Sequence, residues 1–186
     1  AWELREEGKL DEAEKRVQKV LPDIPPSSRL WLGMNSTRIA LAMEKGEWER
    51  VLTFCDSALA RPSEVALRRV RAEALLRRLE ALLLLGRADA ARTAAESCVK
   101  ELDPEADTIQ DVLKAAQMVL ERITKEEFLR LLETAPKRGR NNLLTFAAIW
   151  ERSRGNEEAF KADLERARTE TLGRDYPYYL IERLRK

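Results

Sequence analysis

The stretch that decides the fold is residues 46–62, which read GEWERVLTFCDSALARP. Its apolar side chains recur at steps of three and four residues, at Trp48, Val51, Leu52, Cys55, Ala58 and Leu59. This spacing places them on one face of an α-helix. A glycine and a proline, the residues that most often break regular structure, stand at its two ends. The stretch therefore predicts an amphipathic helix with one buried face, bounded by two turns.

The same arrangement recurs along the chain. Glycines precede amphipathic runs at Gly8, Gly46, Gly86 and Gly155, which are 38, 40 and 69 residues apart, so that the last interval is nearly two periods. Prolines form a second series between the glycines, at Pro25, Pro62, Pro104, Pro136 and Pro177. Residues 87–102 and 127–135 repeat the apolar spacing of the first stretch. Two series of breaks with a similar period indicate a repeat protein.

Capping residues support the helix boundaries. Thr124 followed by Glu127 fits a capping box, and Ser63 and Asp103 are suited to cap the helices that begin beside Pro62 and Pro104. The sequence predicts helical segments near residues 1–7, 9–21, 28–45, 47–60, 63–85, 87–102, 105–122, 125–135, 140–154, 156–172 and 177–185.

The composition agrees with an all-α fold. The 186 residues are rich in Ala, Leu, Glu, Arg and Lys, which favour helix over strand. The charges nearly cancel, with 34 basic against 33 acidic residues and a net charge of +1, so the chain lacks the basic excess of a typical nucleic-acid binder. The longest strongly apolar run is residues 81–85, far short of the roughly 20 residues that cross a bilayer.

The two cysteines, Cys55 and Cys98, both take inward positions on second helices, in different units. A free cysteine in such a position behaves as a small hydrophobe, so we expect both thiols to be unbridged and buried. Their low number favours a reducing, cytoplasmic location. The chain opens at Ala1 without an initiator methionine or a signal-peptide pattern, and we expect a fragment of a longer protein.

The second helices of the units resemble those of tetratricopeptide repeats. In that family an apolar or alanine residue follows the turn glycine by five positions, and further small or apolar residues lead to a closing proline. Gly46 leads in this way to Val51, Cys55, Ala58 and Pro62. The resemblance implies an all-α fold, an α-solenoid or right-handed superhelix of about five hairpins. The units would lie near residues 1–25, 28–62, 63–103, 104–136 and 140–173, with a C-terminal capping helix at 177–186.

The first helices keep only a general apolar character where the family has its tryptophan and tyrosine signature. In the family these helices line a concave groove. The fourth unit has Ile123 where the turn glycine is expected, so the register is set by Gly86, Ile123 and Gly155. In that register the groove positions implied by the resemblance are Glu73, Arg77, Glu80, Lys114, Gln117, Asn142 and Thr145.

The resemblance implies a non-catalytic scaffold that binds a protein or peptide partner. The chain has no histidine, the side chain best suited to acid–base work near neutral pH. We therefore expect no enzymatic activity, no cofactor and no metal. Two alternatives remain open: a regulatory or sensor segment of a larger signalling protein or enzyme, and an RNA-binding helical repeat.

An arginine cluster would carry the RNA-binding alternative: Arg61, Arg68, Arg69, Arg71, Arg77 and Arg78. At about 100° per residue these side chains spread around a helix, and acidic neighbours offset them, so nucleic acid is the less favoured partner. The aromatic and amphipathic residues 176–186 are expected to cover the last hairpin. A docking surface for a further domain is the alternative for that segment.

Overall fold

The computed structural model describes residues 1–25, 28–60, 68–102, 109–135, 137–170 and 178–185, and within them every regular element is helical. The all-α prediction is therefore confirmed. One 3-10 turn spans Leu21–Asp23. The helices in chain order are α1 Trp2–Glu6, α2 Leu10–Val20, α3 Arg29–Lys45, α4 Trp48–Leu59, α5 Arg68–Leu84, α6 Ala88–Glu101, α7 Gln110–Val119, α8 Lys125–Leu129, α9 Leu131–Thr134, α10 Lys137–Ser153, α11 Glu157–Glu170 and α12 Tyr178–Leu184.

The four predicted turn glycines all occupy the left-handed region, with φ between +69° and +78°. At Gly46 the turn N–H donates to the Met43 carbonyl at 3.0 Å, and the next N–H, of Glu47, donates to the Ala42 carbonyl at 2.9 Å. The same pair of bonds recurs at Gly8, Gly86 and Gly155. This is the Schellman ending, which satisfies carbonyls that a helix would otherwise leave unpaired. The glycine series therefore marks repeated helix ends, as the sequence predicts.

The turn between α7 and α8 has the same hydrogen bonds without a glycine. Glu121 takes φ +56°, its N–H donates to the Met118 carbonyl at 3.0 Å, and the Arg122 N–H donates to the Gln117 carbonyl at 2.9 Å. The sequence-based register, which assigns the turn position to Ile123, is wrong by two residues on the α7 side. Two additional residues separate this turn from α8, which changes where the positions of α7 lie relative to those of the other first helices.

The capping box at α8 is confirmed. The Glu127 N–H donates to Thr124 Oγ1 at 3.1 Å, and the Thr124 N–H donates to Glu127 Oε2 at 2.7 Å. The predicted helix near 125–135 is divided at Arg130 into α8 and α9. The predicted caps at Ser63 and Asp103 lie outside the described residues.

Most of the positions predicted to lie on the inward faces of the second helices are buried, whereas Ala88 is exposed and Trp48, Leu52, Leu59, Val99, Leu131 and Ala135 are partly buried. The buried positions include Ala13, Val17, Val51, Cys55, Ala58, Ala91, Ala95, Cys98, Phe128, Leu132, Phe160, Leu164 and Ala167. Helix α5 lies at the centre of this core, where it contacts α3, α4, α6, α7 and α10. Leu75 and Leu79 are buried on one side of α5, and Leu76, Leu83 and Ala74 are buried on other sides of the same helix. A helix surrounded on several sides needs no polar face, which explains its weak amphipathic pattern.

Two later helices pack against much earlier ones. Helix α10 contacts α5, and α12 contacts both α3 and α11. Leu180, Ile181 and Leu184 of α12 are buried in the main apolar core. The C-terminal helix therefore packs on α11, the second helix of the last hairpin, and also reaches back to α3. No helix among the described residues is long and apolar enough to cross a membrane.

Candidate interaction surface

The structure places the seven predicted groove residues on three helices that contact one another, α5, α7 and α10. Three of the seven are buried: Arg77 is 4 % exposed, Glu80 0 % and Thr145 1 %. The other four are partly exposed: Glu73, Lys114, Gln117 and Asn142. Because α10 packs against α5, the three buried residues do not line an open groove where a partner could reach their polar groups.

Arg77 and Glu80 bind each other. Arg77 Nη1 donates to Glu80 Oε1 at 2.8 Å and to Oε2 at 2.7 Å, one turn apart on α5. Burial raises the pKa of the Glu80 carboxyl, and the Arg77 charge opposes that rise. The pair therefore neutralises two charges that the sequence suggests for ligand binding.

A second buried ion pair adjoins the first. Arg5 of α1 donates from Nε to Glu44 Oε2 at 2.9 Å and from Nη2 to Glu44 Oε1 at 2.6 Å, and both side chains are fully buried. Burial raises the pKa of Glu44, while the charges of Arg5 and, further away, Arg77 oppose the shift. The bidentate geometry ties α1 to α3. Sequence reasoning missed this pair because its partners are 39 residues apart.

Among the described residues, the buried amide oxygens that accept no hydrogen bond are Asn35 Oδ1, which lies on α3, and a group of three, Gln117 Oε1, Asn141 Oδ1 and Asn142 Oδ1. The group of three belongs to α7 and α10, which contact each other. The nearby Thr145 hydroxyl donates to the Asn141 carbonyl at 2.7 Å instead. An unpaired buried acceptor is costly, so this part of the interface is less well satisfied than the ion pairs on α5 and α3. Asn141 was not predicted, because it lies one residue before the predicted position.

A cleft of about 240 Å³ separates α3 from α5. Small or short side chains form most of its lining: Gly33, Ser36, Thr37, Ile39, Ala40, Glu73, Ala74 and Arg77. Beyond the backbone of α3 itself, no atom of the described residues lies within 4 Å of the position that a Cβ on Gly33 would take, so the cleft is open there. Leu30, one turn earlier on α3, is 60 % exposed. The cleft brings together Glu73 and Arg77 of the predicted set and adds α3, which sequence reasoning did not include.

A larger cleft, of about 540 Å³, runs along the seam between α11 and α12. Its apolar lining comes from Phe160, Leu164 and Leu184, and charged side chains surround it. Arg152 lies over the Phe160 ring, with Cζ 5.1 Å from the ring centroid. These three apolar side chains are nevertheless buried, so the accessible part of the seam is mainly its charged rim.

A third cleft, of about 510 Å³, lies between the turn before α8 and the turn after α10. Lys125 at this cleft has Nζ 2.7 Å from both Glu151 Oε1 and Asp163 Oδ2. Burial works against the charged ammonium, but contacts with Asp163 and Glu151 outweigh it and raise the pKa of Lys125. The lysine thus links α8, α10 and α11 and has a structural role.

Both cysteines are free and buried, which confirms their predicted placement. Burial raises the pKa of the Cys98 thiol to about 12 and raises that of Cys55 as well. Thiols of this kind are poor nucleophiles because the thiolate is the reactive form. Among the described residues, no group of His, Cys, Asp and Glu side chains is arranged to hold a metal ion.

The described arginines of the predicted RNA-binding cluster contact other parts of the fold. Arg71 donates to the Leu59 carbonyl at 2.7 Å and from Nη2 to Glu101 at 2.6 Å. Arg78 Nε lies 3.1 Å from Asp56. These contacts fasten α5 to α4 and α6. Arg61 and the side chains of Arg68 and Arg69 lie outside the described part of the chain.

Comparison with known proteins finds no family model, no curated protein and no solved structure that matches this chain.

Proposed function

We propose that the chain is a non-catalytic scaffold that binds a protein or peptide partner, built as a tetratricopeptide-like superhelix of about five hairpins. The repeated helix endings and the buried faces of the second helices support this architecture. The cleft between α3 and α5 carries the functional proposal. It lies between two first helices, and its described lining comes from α3 and α5 alone.

The lining of this cleft favours a partner that inserts one apolar side chain. Three of the lining residues have little or no side chain, namely Gly33, Ala40 and Ala74, so a partner backbone can approach closely. The partly exposed Glu73 carboxylate at the cleft is suited to accept hydrogen bonds from the partner. Binding energy in protein interfaces concentrates where an anchor side chain fills such a pocket. Arg77 contributes its apolar stem and its charge-paired head to the wall.

Filling the cleft from within tests the proposal. We expect Gly33→Leu to weaken partner binding by at least about tenfold, since the new side chain occupies the anchor position. The substitution removes a glycine from the middle of a helix, and should therefore preserve or raise stability. Loss of binding cannot then be ascribed to unfolding. The partner is first identified by cross-linking to the full chain, and affinity is measured by titration calorimetry.

The matched control is Ala90→Leu, which adds a leucine to an exposed position of α6, away from the cleft. We expect the control to bind as the original chain does. If Gly33→Leu and Ala90→Leu both retain full affinity, the partner does not use the α3–α5 cleft and the proposal is wrong.

The RNA-binding alternative receives less support. Arg71, Arg77 and Arg78 are each within ion-pairing distance of a carboxylate, so the fold already uses their charges. Affinity for RNA depends on Lys and Arg side chains that are available to pair with phosphates and so release the bound counterions. The regulatory-segment alternative stays a prediction.

A further inference from the structure

The α3 wall of the cleft between α3 and α5 leads to a buried charge. Gly33, Thr37, Ala40 and Glu44 follow one another at steps of three and four residues, which places them on one face of α3. The first three line the cleft, whereas Glu44, at the end of the row, is only 3 % exposed. A buried carboxylate therefore lies at this end of the α3 wall.

The facing wall on α5 ends in the same way. Glu73, Arg77 and Glu80 are four and three residues apart, and the first two line the cleft. Arg77 donates from Nη1 to both oxygens of Glu80, and both side chains are buried. Burial raises the pKa of Glu44 on α3, and the charge of Arg77 is among those that oppose the rise. One guanidinium in the cleft wall thus interacts with two buried carboxylates, one on each helix.

The direct partner of Glu44 comes from α1. Arg5 donates to both oxygens of Glu44, and among the described side chains of α1 it is the one that is buried. Helix α1 has only five residues, and a helix this short does not persist alone in water. The position of Arg5 therefore depends on the docking of α1 on the rest of the molecule.

Withdrawal of Arg5 would leave Glu44 buried without its direct partner, which is strongly unfavourable for a carboxylate. Arg77 is the other cation whose charge reaches Glu44. Its contact with Glu80 is made through Nη1, so the guanidinium can turn toward α3 and lie between the two carboxylates. That movement carries the head of Arg77 across the cleft and narrows it.

We propose that the docking of α1 controls the width of the α3–α5 cleft, and that Arg5, Glu44 and Arg77 transmit the effect. While α1 is docked, Arg5 holds Glu44, Arg77 stays with Glu80 and the cleft is open. When α1 undocks, Arg77 turns toward Glu44 and the cleft closes. This inference rests on the proposed scaffold function, for which it names a means of regulating the binding cleft.

A ligand in the cleft and a docked α1 favour each other. A side chain that fills the cleft occupies the space into which Arg77 would turn, so it favours the state in which Arg5 keeps Glu44. Coupling between two sites is reciprocal in free energy, and docked α1 therefore raises the affinity of the cleft for the same ligand. A protein that captured α1 would lower that affinity.

Thiol labelling measures access to the cleft without any partner. Ser36→Cys introduces a thiol into the lining of the cleft, whereas the cysteines of the original chain are buried and react slowly. In the Ser36→Cys background we expect Arg5→Met to slow labelling by a maleimide at least about threefold, because Arg77 then narrows the cleft. The matched control, Arg16→Met, removes an exposed arginine of α2 and should leave the rate unchanged.

A second variant separates the charge mechanism from a simple loosening of α1. Arg5→Met combined with Glu44→Met removes both charges, so that no buried carboxylate draws Arg77 toward α3. We expect its labelling rate to return to that of the Arg16→Met control. If Arg5→Met does not fold, Arg5→Lys takes its place, since lysine keeps the charge but loses the bidentate contact. Slower labelling than in the control is then expected of Arg5→Lys.

Two results would overturn the proposal. The first is labelling of the folded Arg5 variant at least as fast as that of the control, with circular dichroism showing an intact helical fold. The second is a reduced rate that the addition of Glu44→Met does not restore. No partner takes part in the labelling, so an unchanged affinity of Gly33→Leu for its partner would refute the binding role of the cleft and leave the coupling to α1 in place.

Discussion

The turn at Gly46 and the turn at Glu121 have the same backbone hydrogen bonds but different residues. Both end a first helix with a Schellman pair, and both place one residue in the left-handed region, at φ +74° and +56°. Glycine adopts that region freely, whereas an L-residue such as glutamate is strained there. The surroundings differ too, since Gly46 is covered by Arg183 of α12 and Glu121 lies on the surface. The comparison separates two requirements for glycine: backbone conformation, and space for a neighbour.

The largest effect is expected at Gly46, where both requirements apply. We expect Gly46→Ala to lower the free energy of unfolding by about 1.5 kcal/mol, mainly because the alanine is strained at positive φ and to a smaller extent because its Cβ displaces the end of the flexible, exposed Arg183 side chain. Urea denaturation followed by circular dichroism measures the change. A loss no larger than that of Gly86→Ala would show that Arg183 adapts without cost.

At Gly86 only the backbone requirement applies. Its φ is +69°, and no atom lies within 4 Å of the position of a Cβ. We expect Gly86→Ala to lower the free energy of unfolding by about 1 kcal/mol through strain alone. The same denaturation experiment, on both variants at one protein concentration, checks this value. An unchanged midpoint would contradict the strain argument for this turn.

A double-mutant cycle isolates the contribution of space at Gly46. We expect Gly46→Ala to cost about 0.5 kcal/mol less when Arg183 is already replaced by alanine, since there is no guanidinium to displace. The matched cycle pairs Gly86→Ala with Arg183→Ala and should show additive effects. Additivity at Gly46 as well would mean that Arg183 does not interact with the turn.

The smallest effect, and the only gain, is expected at the turn without glycine. We expect Glu121→Gly to raise the free energy of unfolding by about 0.5 kcal/mol, because relief of strain slightly exceeds the added entropy of glycine in the unfolded chain. Arg154 Nη1, which lies 2.6 Å from Glu121 Oε1 on the surface, loses an exposed partner of little energetic value. Thermal unfolding of Glu121→Gly and Glu121→Ala separates the effect of backbone strain from the loss of the Arg154 ion pair. Both variants lose the ion pair, but only the alanine variant keeps the strain.

The sequence predicts what depends on local periodicity. The buried positions Val51, Cys55 and Ala58 follow from three- and four-residue spacing within one helix, and the glycine turns follow from the conformational freedom of one residue type. The Thr124 capping box depends on two residues three positions apart. Each of these features is determined within a single turn or helix, so a reading of the chain is enough to find them.

The sequence does not predict what depends on contacts between distant segments. Nothing in the spacing of α10 indicates that it packs against α5, and this contact buries Arg77 and Glu80, which the family-based register places in a groove. The two additional residues after Glu121 move the turn away from Ile123. Counted from Glu121, the α7 positions equivalent to Arg77 and Glu80 are Val112 and Ala115, which are both buried. The error in register and the contact of α10 with α5 together explain why the predicted groove and the observed cleft share only some of their residues.

The contacts of α10 with α5 and of α12 with α3 limit how the number of units can change. In an open array, where each hairpin touches only its neighbours, a unit can be duplicated or deleted and the remaining interfaces stay intact. Here an extra hairpin between α6 and α10 would carry α10 away from α5 and α12 away from α3. These two contacts therefore constrain the number of hairpins. Among related sequences, we expect side chains and turns to vary more readily than the number of repeats.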